Sequence, residues 1–246
     1  MIPEDILKFD PDLFRVFEPD LVWEQYLVYE EEFLHYLRYV PLDSAHYIVY
    51  SIRLADLLIN IGSTIDSFLN NAIYCDCLDE IPDIKKYREI KKRNMNHHKI
   101  IFENFYNLSS KEIFELKNYS EIAPFFNWRE DEKSIEWWSD YNDIKHDRFL
   151  NRRKATLKTT LDALGALFLL NVIHIDTMAI LVRDGIIRSV YDKPSLVRIL
   201  SKKEPIDASQ TIYAKTHLFG YVFDQKSFER SLNDKIGILS PYNPGY

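Results

Sequence analysis

The sequence predicts an all-α fold, a helical bundle built on two long antiparallel helices with a small mixed extension at the C-terminal end. Only 6 glycines stand against 15 phenylalanines and 16 tyrosines in 246 residues, so sharp turns are scarce and bulky side chains plentiful. Two stretches, near residues 44–72 and 153–182, repeat apolar residues at alternating spacings of four and three. A hydrophobic content of 46% supplies a proper core. No internal repeat or low-complexity linker divides the chain.

Residues 20–39 carry Leu21, Tyr26, Tyr29, Phe33, Tyr36 and Leu37 at helical spacing, and Pro41 stops them. Asp43 or Ser44 caps the next helix, whose seam runs through Ile48, Ile52, Ala55, Ile59, Gly62, Asp66, Leu69 and Ile73. A second stripe, Leu54, Leu58, Ile61, Ile65 and Phe68, widens its apolar surface and places this helix at the centre. Gly62 on the seam signals close approach of another helix. Residues 82–107 are basic and polar and read as one or two short helices. The next stretch is irregular, with a short extended piece at Glu112–Leu116 and a turn at Pro124. Helical pattern resumes at Ser134. From about Arg153 to Val182 the seam is Leu157, Leu161, Leu164, Phe168, Asn171, Ile175, Met178 and Val182. Past Gly185 a short helix mixes with β-prone runs at Thr211–Tyr213 and Tyr221–Phe223. The expected division is a helical domain over 1–188 and an extension over 189–246 packed on it.

A net charge of −7 excludes broad coating of nucleic acid but allows a local basic patch. Cys75 and Cys77, the only thiols, are too close for an easy disulfide and suggest a reducing compartment. With His97 and His98 they make a poor zinc tetrahedron, so neither metal nor cofactor is expected. The opening MIPEDILKFDPDLF is acidic and broken by proline, unlike a secretory leader, which points to the cytoplasm. Residues 164–182 are interrupted by Asn171, His174 and Asp176, which argues for a buried helix and no membrane. So apolar a helix also predicts a homodimer.

The chemistry concentrates in WWSDYNDIKHDR, residues 137–148. On a helix Asn142 and His146 share a face, while Tyr141, Lys145 and Arg148 share an adjoining one, anchored by Trp137 and Trp138. Two cations beside an imidazole can hold a phosphate, or let His146 act as general base toward a ribose hydroxyl. Asp66, a carboxylate on an apolar seam, seeks a cation. The competing reading has Asp66, or Asp140 and Asp143, neutralising Lys145 and Arg148 while the tryptophans fill the core, and the residues alone weigh toward it.

Residues 123–170, with APFFNW, SIEWWSDYNDIKHDRFLNRRKATLK and the apolar run after it, together with YSIRLADLLINIGSTIDSF over 50–68, resemble a group of bacterial proteins with a HEPN-like helical domain. Ribonucleases of that class carry an arginine, a polar residue and then a histidine at the start of a long helix, paired across a dimer over RNA. Here Tyr141-Asn142 and His146 match in position, with tyrosine in place of the arginine. The resemblance therefore implies a binding or interaction module, related to RNA or nucleotides in bacterial defence or stress, with a degenerate nuclease motif. Tyr141, Trp138 and Asp66 would then line its ligand site. The alternative it leaves open is a metal-independent endoribonuclease using His146 with Lys145 or Arg148, aided by Asn142. Two further candidates are the string Arg93-Asn94 to His98, which fits the same loose pattern, and a phosphate receptor from Lys85, Lys86, Arg88, Lys91, Lys92 and Arg93.

Overall fold

The computed structural model describes residues 18–130, 134–202, 206 and 210–223. The acidic opening stretch and residues 224–246 of the extension lie outside them.

Helices dominate. In chain order they are α1 (Pro19–Tyr36), α2 (Ile52–Ala72), α3 (Ile84–Glu89), α4 (Met95–Tyr106), α5 (Glu136–His146), α6 (Arg148–Asn151), α7 (Leu157–Ile173), α8 (Ile175–Arg183) and α9 (Lys193–Ser201). The strands are β1 (Ile113–Glu115), β2 (Ser120–Ile122), β3 (Ile187–Arg188), β4 (Tyr213–Lys215) and β5 (Phe219–Val222).

The strands correct the expectation of an all-α bundle, because they join into one antiparallel five-stranded sheet in the order β2-β1-β5-β4-β3. Phe114 pairs with Gly220, and Ala214 with Tyr221, so the middle of the chain and its C-terminal part share a ladder. Three of the strands, β1, β4 and β5, overlap extended runs legible locally. Their pairing is not, since β1 and β5 are buried at every residue and lose the alternation that marks a half-buried strand. The sheet lies on α7, where Gly165 makes room: a Cβ there would stand 2.7 Å from Ile113 Cδ1. The Phe168 and Phe219 rings meet nearby, with centroids 5.6 Å apart.

α1 turns Trp23, Tyr26, Glu30 and Phe33 inward. Glu30 is buried yet satisfied, accepting from the Leu218 amide at 3.0 Å, from Tyr26 Oη at 2.8 Å and from the Thr216 hydroxyl. It thereby pins the loop before β5 to the helical layer.

α2 begins eight residues later than the seam suggested. Residues 44–46 form a separate single turn, and the Ser51 side chain caps α2 by accepting from the Leu54 amide. The reason is the bridge between Tyr50 and Thr156, beside which the Leu157 and Lys158 amides donate to the Val49 and Tyr47 carbonyls, so this segment is tied to the start of α7 instead of continuing a helix. Ile48 and Ile52 are consequently 80% and 75% exposed, and the core face of α2 is the stripe from Leu54 to Phe68. α2 packs on α7, the central contact of the fold.

The continuous helix expected over 153–182 is broken at His174, where α7 and α8 meet at 85°. Asn171 spends its side-chain amide on the Leu167 carbonyl at 2.9 Å, and Thr177 Oγ1 donates to the Asn171 and His174 carbonyls at 2.6 and 3.0 Å. Thr177 thereby gives the Asn171 carbonyl a donor in the last turn of α7, while the His174 carbonyl also accepts from the Met178 amide at 2.8 Å. Among the described residues no single helix is long and apolar enough to cross a membrane; the bent α7–α8 pair passes on length and composition only. α7 is covered by α1, α2, α5 and β5 of the same chain, so its apolarity needs no second copy to explain it.

Candidate ligand-binding site

α5 crosses α2 at Gly62, and the residue that makes the crossing is Tyr141. Its ring is fully buried, and a Cβ on Gly62 would stand 2.4 Å from Tyr141 Cδ2. Tyr141 is thus a core aromatic that fills the notch left by a missing side chain. Trp138, half-buried, tilts against it with centroids 4.9 Å apart. Trp137 is buried and donates its indole N–H to the Pro124 carbonyl at 2.9 Å. The aromatics of this motif therefore help to fix α5, with Tyr141 and Trp137 buried and Trp138 half-buried.

The cations do not converge as their spacing suggested. Lys145 Nζ donates to Tyr141 Oη at 3.0 Å, lies over that ring, and feels the charge of Asp66. Arg148 turns the other way and pairs with Asp56 at 2.6 Å. Asp56 and Asp66 are ten residues apart on α2, roughly 15 Å along its axis. Asp66 itself is half-buried. Burial raises its pKa, while Lys145 and the Asn70 amide, 3.2 Å away, oppose the rise. The Lys145 ammonium is correspondingly held more tightly protonated, chiefly by its bond to Tyr141.

His146 ends α5, exposed, and makes no hydrogen bond or ion pair to another described residue. Asn142 Nδ2 donates to the Trp138 carbonyl of its own helix at 3.0 Å instead of orienting the imidazole. A general base needs its ring held toward the proton it takes and a charge placed for the developing anion. Among the described residues of one chain, no group holds the His146 ring in this way.

Beyond α5 the chain forms a tightly tied projection. Asp147 caps α6 by accepting from the Leu150 amide at 2.9 Å, and Asn151 Nδ2 donates to the Asp143 and Asp147 carbonyls at 2.9 and 3.1 Å. Lys154 bridges Asp143 and Asp140 behind it. The outward side carries Lys145, His146, Arg148, Arg152 and Arg153, all exposed, with Phe149 and Leu150 at 84% and 79% exposure between them. Sequence reasoning missed Phe149, Leu150, Arg152 and Arg153. The available signal was an apolar pair flanked by cations in a run without a helical seam.

The other candidates dissolve into structure. Arg93 is half-buried and donates to the Tyr87, Arg88 and Ile90 carbonyls and to Asn70. Asn94 and His97 form the box that caps α4, and His98 is buried. Arg88 binds Asp79 and the Ile73 and Cys75 carbonyls, so of the basic run only Lys85, Lys86, Lys91 and Lys92 remain fully exposed. Cys75, Cys77, His97 and His98 form no common ligand set among the described residues.

No protein-family model, curated protein or solved structure matches the chain.

Proposed function

We propose that this chain is a HEPN-like helical binding module whose α5–α6 projection holds single-stranded RNA, and that its nuclease motif is degenerate. The observation that carries the reading is the exposed surface from Lys145 to Arg153, where the bare side chains of Phe149 and Leu150 stand between Arg148 and the pair Arg152 and Arg153. Phosphates pair with guanidinium groups, and unstacked bases rest on aromatic faces, so this mixture suits a single strand better than a duplex. The divergence of Lys145 and Arg148, with His146 left unoriented, favours binding over cleavage. The context implied by the resemblance, bacterial defence or stress, belongs to the same proposal.

Self-association is part of it as well. Ile48 and Ile52, outside the Lys145–Arg153 run, are large exposed apolar groups that a second copy would cover. Light scattering is expected to give a dimer, and a monomer at every concentration would remove this element.

The main test incubates the purified protein with mixed RNA in EDTA beside His146→Ala. The expected result is retention of RNA without cleavage by either form. Cleavage lost in His146→Ala would instead establish the endoribonuclease reading, and failure to retain RNA would remove the proposal.

A further inference from the structure

We propose that Cys75, His174 and Asp176 form a binding site for one divalent metal ion of the zinc class, at the end of the molecule away from the α5–α6 projection. The three ligand atoms lie within 4.8 Å of one another, and His174 Nδ1 is 3.9 Å from Asp176 Oδ2. Tetrahedral zinc, with bonds of about 2.0–2.3 Å, sets its ligand atoms roughly 3.3–3.8 Å apart. The site therefore needs to close by about 1 Å. The Asp176 side chain is 47% exposed and can make that movement.

Each ligand is placed by a break in helical structure. Cys75 follows the end of α2 and caps a single turn, where its Sγ accepts from the Cys77 amide at 3.3 Å. His174 occupies the 85° break between α7 and α8, and Asp176 sits in the first turn of α8. The amide on Cys75 and the Ala72 carbonyl against the His174 ring are the outer partners that orient metal ligands elsewhere. A cavity of about 410 Å³, lined by Asn71, Cys75, Asp76, Cys77 and Asp176 among others, opens beside the ligands and leaves a fourth position to water.

Sulfur, imidazole nitrogen and one carboxylate oxygen are a borderline-soft set that suits Zn²⁺ and disfavours Mg²⁺ or Ca²⁺. Binding releases the thiol proton to solvent. The bound ion would tie the end of α2 to the α7–α8 break. Ala72 and Asp56 are sixteen residues apart, about 24 Å along α2, so this site is independent of RNA binding.

The test titrates metal-free protein with Co²⁺ and then Zn²⁺. One equivalent of Co²⁺ should give the sulfur-to-metal band of a thiolate ligand and the visible bands of four-coordinate cobalt, and Zn²⁺ should abolish both. Cys75→Ser should lose the sulfur band, Asp176→Asn should keep it while binding at least about tenfold more weakly, and Cys77→Ser should be unchanged. Both ligand substitutions fall outside the buried core, and circular dichroism checks that they fold. The proposal is overturned if no stoichiometric uptake occurs, if Cys75→Ser and Asp176→Asn bind as the wild type does, or if the sulfur band depends on Cys77 instead.

Discussion

Tyr141 is buried where α5 crosses α2, and Gly62 explains what it does there. The ring closes onto the one position of α2 that offers no side chain. Gly62→Ala would push a methyl into that ring. We expect a loss of about 1–3 kcal/mol from overpacking, which exceeds the roughly 1 kcal/mol an alanine gains in helix propensity. Urea unfolding measures the balance, and a variant as stable as the wild type would contradict the contact. The same scale gives a pH dependence. Burial, then Arg93 and His97, lower the His98 pKa from 6.5 to about 4. Neither ring nitrogen has a hydrogen-bond partner among the described residues. Between those values the unfolded chain takes up a proton that the folded one refuses, so the contribution of this group is complete above 6.5 and lost as pH falls toward 4. His98→Leu should lose less stability than the wild type between pH 7 and pH 5, and equal losses would contradict the assignment. Gly62 as a point of close approach and Asp66 as a seeker of charge were both readable in the sequence, because each violates the apolar pattern around it. That Lys145 and Arg148 point apart was not readable, since i,i+3 spacing sets proximity on one helix and says nothing of which carboxylate on α2 each side chain meets.

At the scale of elements, α1, α2, α5 and α7 were visible because each has a sustained apolar stripe. The errors lie at their ends. α2 starts at Ile52 because Tyr50 bridges Thr156, a partner about a hundred residues away. The break at His174 was hidden because apolar residues continue on both sides of it. Asn171, read as an interruption of the apolar stretch, and Thr177, which the pattern did not single out, are the polar groups that bond the backbone at this break. Thr177→Val keeps the shape and removes the hydroxyl from two buried carbonyls. It should cost about 1–3 kcal/mol, measured by urea unfolding, with near-neutrality as the contrary result.

For the whole molecule, the sheet is what the sequence concealed. Its strands are two to four residues long, and although β1–β2 and β4–β5 are local pairs, the β1–β5 pairing that joins them spans about a hundred residues, so no local window contains the sheet. β5 lies at its centre, and Glu30 fastens the preceding loop to α1. A chain ending at residue 188 should therefore fail to fold cooperatively. A sharp thermal transition from that fragment would show the helical layer to be self-sufficient. The central claim, that the projection from Lys145 to Arg153 is a surface for single-stranded RNA, is tested most directly by the salt dependence of binding to a labelled single strand. Three arginine contacts at roughly 0.7 each predict a slope of about −2 in log K against log salt, reduced to about −0.7 in the double variant Arg152→Ala/Arg153→Ala. No binding at low salt, or the same slope in wild type and variant, would contradict it.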